Sequence, residues 1–386
     1  MKILQVVPSI SLVYGGPSQM VLGLSAALAR LGEDVTVITT DSNGDTGQAP
    51  LDVPLGVPIE QNGYKILYFR CSPFRRYKFS LDLFNWLNTH AREFDIAHIH
   101  CLFSPVSSIS ASIARSRRLP YILRPLGTLD PADLRKKQQL KKLYATFLEK
   151  PNIAGSAGIH FTSDQECRIS ERFGVKTNDI VLPIGVNLPS GTAKNREELG
   201  IPSDKPVILY MSRLDPKKGL DLLLPSLENL VKKGIDFHFV LAGGNLQDAD
   251  YENRVKNQVR NSIIGQNSTI AGFVTGETKR GLLEAADLFV LPSYYENFGI
   301  AVAEAMAAGI PVVISDRVDI HPEVEKFNAG WITPCNVEEL TATLENSLKN
   351  PEERRRRGKN ARELVIDKYS WDSIARQMVA VYEKNR

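Results

Sequence analysis

Two successive series of short apolar runs, each followed by a stretch with helical spacing, constrain this chain more than any other feature. Residues 2–7 read as a strand, a Gly15-Gly16 loop follows, residues 17–30 carry apolar side chains at helical intervals, and residues 35–39 return as a strand. That βαβ unit is extended by strand-like runs at 65–69, 95–100, 120–123, 158–161 and 180–182. Strands alternating with helices predict a parallel, doubly wound α/β sheet. Residues 189–205 then bring Pro, Gly, Ser and charge without apolar period, and read as a linker. A second series occupies 207–211, 237–242, 269–271, 288–291, 311–314 and 330–332. The expected organisation is one domain over 1–190, a second over 200–365, and a final helix over 366–386 that returns to pack on the first.

Length and composition agree with two soluble domains. A chain of 386 residues exceeds what one core usually organises, and 43% apolar with 24% charged residues argues against disorder. The net charge of +3 excludes nucleic-acid binding driven by charge alone. Through Ser190 there are 21 basic and 16 acidic residues, leaving 26 and 28 of the totals 47 and 44, so the first half is the more basic. Cys71, Cys101, Cys167 and Cys335 form no CxxC pair, which points to ordinary reduced thiols. The amino terminus reads as a strand, not a secretion signal, and no run approaches the roughly 18 apolar residues of a membrane span. A cytoplasmic protein is expected. The stretch 134–149 combines an apolar stripe with five basic residues nearby, so it could contact anionic lipid at the inner membrane face, or be a core-packed helix with solvated lysines. The run Arg354 to Arg357 reads as a solvated helix face.

The chemistry concentrates in two strand-to-helix passages. In Leu291-Pro-Ser-Tyr-Tyr-Glu296-Asn297-Phe298-Gly299-Ile300, continuing to Glu304, a strand ends, a polar loop presents Glu296, and a helix starts whose first amides could hold phosphate. Glu304 lies about one turn inside, where a carboxylate could accept from ribose hydroxyls, and Glu296 could do the same for sugar hydroxyls. The second passage runs from residue 207 through Ser212 and Arg213 to Lys217-Lys218-Gly219. Cations there could stabilise a diphosphate as it departs. An isolated pair of glutamates or one basic turn would more often be plain surface; their combination on two strand ends is what argues for a site. His98 and His100 fall on one side of their strand, and His100, nearest its carboxyl end, is a candidate cleft residue. Asp248-Ala249-Asp250 superficially offers a metal motif but reads as a helix start.

These passages resemble the GT-B glycosyltransferases of family 4, the glycosyl transferases group 1. Glu296 to Glu304 looks like that family's E-x7-E motif, and Arg213 with Lys218 like its diphosphate clamp. Gly15-Gly16 resembles the glycine loop near the donor phosphates, Pro183 to Val186 the PxGV segment, and Gly243-Gly244 the glycine turn of the second domain. The resemblance implies two Rossmann-like domains facing across a cleft and a retaining, metal-independent hexosyltransferase without cofactor. Arg213, Lys218 and Glu296 would be catalytic. Gly16, Gly243, Phe273, Val274, Asn297, Phe298, Gly299, Ile300 and Glu304 would complete the donor site, with Phe273 and Val274 meeting the base. His100 and Arg124 would lie on the acceptor side. UDP-glucose leads among donors by family frequency, with a glycan or lipid-linked sugar as acceptor in polysaccharide biosynthesis. The flavour is that of bacterial exopolysaccharide enzymes, including those of the heterocyst-envelope kind. One departure is plain: Leu126 stands where many relatives carry a histidine. Two other readings stay open, a non-catalytic nucleotide-sugar binder and a dinucleotide-dependent oxidoreductase, although the latter lacks a G-x-G-x-x-G turn.

Overall fold

The computed structural model describes residues 1–45, 48–72, 78–135, 138–245 and 248–386. These form two compact units: residues 1–185 with 371–386, and residues 186–370. The first unit holds an eight-stranded sheet: β1 (Lys2–Val6), β2 (Asp34–Thr40), β3 (Ile59–Gln61), β4 (Tyr64–Phe69), β5 (Ile96–His100), β6 (Tyr121–Arg124), β7 (Gly158–Phe161) and β8 (Asp179–Val181). Their spatial order is β3-β4-β2-β1-β5-β6-β7-β8. The second unit holds β9 (Val207–Met211), β10 (His238–Ala242), β11 (Ser268–Gly272), β12 (Leu288–Leu291), β13 (Val312–Ser315) and β14 (Gly330–Thr333), in the order β11-β10-β9-β12-β13-β14. In both, the first strand is central, the chain winds outward on one side, and it then crosses to the other. The switch points are therefore β1/β5 and β9/β12, where a doubly wound sheet opens a crevice at its strand ends.

Burial follows from this arrangement. All five residues of β9, β10 and β5 are buried, as parallel strands covered by helices on both faces must be. The helix Leu220–Lys232 buries Leu220, Leu223, Leu224, Leu227 and Leu230, the three- and four-residue spacing of one apolar stripe. Each such leucine contributes about 1.5–3 kcal/mol on burial.

Three local features differ from the expected pattern. β3 pairs antiparallel with β4 through Asn62-Gly63, both with positive φ (49° and 84°), the backbone of a two-residue hairpin turn. Residues 189–205 belong to the second unit, where Arg196 donates to the Ala285 carbonyl at 2.6 Å and pairs with Asp287 at 2.9 Å. The arginine run is only half solvated. Arg354 is buried and donates to the carbonyls of Ser347 and Leu348, and Arg357 stacks 4.6 Å over the Trp331 ring, because positions three apart share the inward face.

The helix Trp371–Asn385 completes the first unit. Its Trp371 ring fills the space beside two glycines: a Cβ at Gly23 would lie 2.4 Å from the indole, and one at Gly185 only 2.2 Å away. Tyr382 enters a buried polar network. Its hydroxyl accepts from the Gln5 amide at 3.2 Å and lies 2.8 Å from His98 Nδ1. His98 Nε2 is 3.3 Å from His160 Nδ1, and His160 Nε2 is 2.9 Å from the Leu182 carbonyl. Burial holds the pKa of His98, His100 and His160 well below the usual 6.5, with the Arg124 charge adding to the effect.

Two outcomes are expected. Gly23→Ala forces its methyl group into the indole and lowers stability by about 1–3 kcal/mol, read as an earlier urea midpoint. Because the three histidines are neutral in the folded state, the unfolded chain binds more protons as pH drops below 6.5. Their contribution is complete above that value and is lost on acidification, so the urea midpoint falls between about pH 7.5 and about pH 5.5. An unchanged midpoint contradicts the neutral network.

Candidate functional site

At the β9/β12 switch point, two loops leave neighbouring carboxyl ends. The first passes through Arg213 to a single turn, Pro216–Lys218, capped by the Asp215 carboxylate accepting from the Lys217 amide at 3.0 Å. Gly219 follows with φ 72°, and a Cβ there would stand 2.0 Å from the Pro292 carbonyl oxygen in the second loop. The Tyr294 amide donates back to the Lys217 carbonyl at 2.9 Å. Backbone contact thus fixes one loop on the other before any side chain is considered.

On this frame the Lys218 ammonium donates to the Glu296 carboxylate; the two side chains are 16% and 22% exposed. Glu296 is held through its backbone, its amide donating to Arg317 at 3.1 Å and its carbonyl accepting from Asp319 at 2.9 Å. Gly299, in the left-handed region at φ 75°, turns the chain into the helix Ile300–Ala307. Glu304, in that helix, pairs at 2.6 Å with Lys279 of the helix Gly276–Ala285. Both motif glutamates are therefore neutralised by lysines from other elements. An anionic or hydroxyl-bearing ligand that supplies each group with a new partner could rearrange these pairs.

The other expected residues divide by unit. Arg213 is half exposed and turns toward its own loop, 3.2 Å from Asp215. Gly243, at φ 135°, lies against the Ser212 carbonyl, where a Cβ would be 1.8 Å away, so the glycine turn packs directly on the β9 loop. Phe273 is 70% exposed and Val274 partly so. The Asn297 and Ile300 side chains are partly exposed. The Phe298 ring is buried edge-on against Tyr369 at 5.3 Å, which leaves only its backbone to face a ligand. In the first unit, Gly16 opens the helix Gly16–Arg30 after Gly15 at φ 70°. His100 and Arg124 are buried: His100 Nε2 is 2.7 Å from Gln5 Oε1, and desolvation lowers the Arg124 pKa to about 10. Leu126 takes φ 55°, a costly conformation for leucine, and Cys101 and Phe103 are also left-handed. Backbone strain thus gathers at the carboxyl ends of β5 and β6.

Lys279 was not among the expected site residues. It lies in the first turn of the helix Gly276–Ala285, which follows the N-cap Thr275. Threonine ahead of an acidic first turn was the available signal. Asp248 caps the helix Ala249–Asn261, accepting from the Tyr251 amide at 3.0 Å. Among the described residues, no group of three or more His, Cys, Asp or Glu side chains is placed to hold a metal. No helix among them is long and apolar enough to cross a membrane. In the stretch 134–149, Lys136 and Lys137 lie outside the described residues; Leu143 and Phe147 are 59% and 70% exposed, not core-packed.

Comparison with known proteins places this geometry in context. An uncharacterized glycosyltransferase of Methanocaldococcus jannaschii is 33% identical over 49% of this chain and 47% of its own length. As with other curated relatives, the match spans about half of that protein. Among solved structures, sucrose-phosphate synthase from Thermosynechococcus elongatus superposes with a TM-score of 0.79 at 23% identity, covering 100% of this chain and 98% of that one. HepE of Anabaena, solved in complex with UDP-glucose, gives 0.76 at 18% identity, covering 100% of both chains. These likenesses establish the shared fold. Residues 15–185 match the glycosyl transferase 4-like domain, and residues 191–364 match glycosyl transferases group 1. With these two domains in succession on two α/β units of largely parallel sheet, the chain has the GT-B fold and joins a glycosyl transferase 4-like domain to a domain of glycosyl transferases group 1.

Proposed function

We propose that this protein transfers a hexosyl group from a nucleotide-activated sugar, with UDP-glucose the leading donor, to a glycan or lipid-linked acceptor in polysaccharide assembly. The observation that carries the reading is the pairing of Glu296 with Lys218 at the β9/β12 switch point, together with that of Glu304, one helix turn on, with Lys279. These pairs offer carboxylates for hydroxyls and cations for phosphate. The HepE complex with UDP-glucose supports the choice of donor.

In this reading Lys218 moves from Glu296 to the diphosphate, where Arg213 joins it, and the amino end of the Ile300–Ala307 helix adds its dipole. The freed Glu296 accepts from the sugar hydroxyls, and Glu304 from the ribose. The acceptor hydroxyl oxygen bonds to the anomeric carbon as the bond from that carbon to the phosphate oxygen breaks. The proton passes to the leaving phosphate, on the face from which the acceptor entered, so configuration is retained. Lysine and arginine carry the charge compensation, and no metal is required. Gly16, His100 and Arg124 contribute from the acceptor-side unit, and Gly243, Phe273 and Val274 from the donor unit. The reaction takes place in the cytoplasm. Leu143 and Phe147, exposed beside the exposed Lys142, support peripheral contact with the inner face of an anionic membrane.

With EDTA present, the protein is expected to turn over UDP-glucose, transferring it to acceptor or slowly to water. Lys218→Ala and Glu296→Ala should each lower the rate at least about tenfold, on the order of 1.4 kcal/mol. Near-full turnover in both variants, or dependence on an added divalent ion, would sink this reading.

A further inference from the structure

The Lys279–Glu304 pair lines a pocket in the second unit, and the reading above gives Lys279 no part in binding the donor's nucleoside. Leu188, Pro189 and Leu283 line it together with Gly276 and Arg280, and both members of the ion pair reach it. The segment 187–190 is fastened to the Gly276–Ala285 helix, Arg280 donating to the Ser190 carbonyl, while the Thr192 hydroxyl donates to Glu277 at 2.7 Å. One wall is apolar and another bears charge. That combination suits a nucleoside, whose flat base needs apolar walls and whose sugar needs hydrogen-bond partners.

A carboxylate has about four acceptor positions, and the bond from Lys279 to Oε1 uses one of them. The remainder can serve both hydroxyls of a ribose diol. What Lys279 adds is orientation: the glutamate is about one-fifth exposed and would otherwise sample several rotamers, which binding would have to freeze.

We propose that Lys279 is a positioning residue that sets the preference for ribonucleoside over 2′-deoxyribonucleoside donors, by holding the Glu304 carboxylate aimed at the vicinal diol. The inference rests on the assignment of Glu304 to the ribose. A deoxyribose leaves the oriented carboxylate short of one donor, so discrimination depends on the carboxylate being fixed before the ligand arrives. Arg280, occupied with the Ser190 carbonyl, is not a substitute for Lys279.

The test is calorimetric titration of the full chain with UDP and with dUDP. The intact protein should bind UDP at least about tenfold more tightly than dUDP, the consequence of one hydrogen bond lost to a charged group. Lys279→Met should weaken UDP more than dUDP and bring the two affinities within about threefold. Lys279→Arg should restore the preference, and Glu304→Gln should abolish it. A merely structural role for Lys279 would weaken both ligands equally and leave the ratio intact, and that result overturns the proposal alone. Failure of the intact protein to bind UDP overturns both this proposal and the donor-site reading beneath it.

Discussion

The second unit depends on one close contact. At Gly219 a hydrogen atom faces the Pro292 carbonyl, where a methyl carbon would be 2.0 Å from the oxygen. The contact can form only if residue 219 lacks a side chain and adopts positive φ, conditions that glycine satisfies at least cost. With it, the loop after β9 and the loop after β12 become one body, joined again by the Tyr294–Lys217 backbone bond. Lys218 and Glu296 are 78 positions apart in sequence, and their meeting is a by-product of this backbone fit.

Gly243 extends the same principle, lying as close to the Ser212 carbonyl as Gly219 lies to Pro292. Three loops at the carboxyl ends of β9, β10 and β12 are thereby packed main chain against main chain. Cationic and acidic groups can then be carried on a rigid base, which suits chemistry requiring charges already in place when a bond breaks. The first unit uses a bulky ring in place of a carbonyl: Trp371 occupies the volume beside Gly23 and Gly185 and seats the last helix.

Much of this was legible in the sequence, and the limits have physical causes. Strand and helix alternation follows from apolar periodicity, which is local, so both sheets and the two motif loops could be read directly. β3, the first strand of the β3–β4 hairpin, escaped because it is only three residues long and largely exposed, although Asn62-Gly63 is a recognised turn pair. Residues 189–205 looked like a linker because their order comes from Arg196 reaching Asp287, a partner 91 positions away. Arg354 and Arg357 looked solvated because charge alone does not reveal a guanidinium bonded to buried carbonyls or lying on an indole. Lys279 was hidden for the same reason, since an ion pair between two helices leaves no local period.

The division of the first unit carries a consequence for synthesis. Its sheet is encoded before residue 186, yet Trp371 and Tyr382, which cover Gly23 and reach Gln5 and His98, emerge only after the entire second unit. While translation continues, the nascent first unit must wait with the space beside Gly23 unfilled and His98 without its tyrosine partner, during which the second can fold independently on the ribosome. A stop codon just before residue 371 would release a chain with a whole second unit and an unfinished first one, a species suited to capture by chaperones.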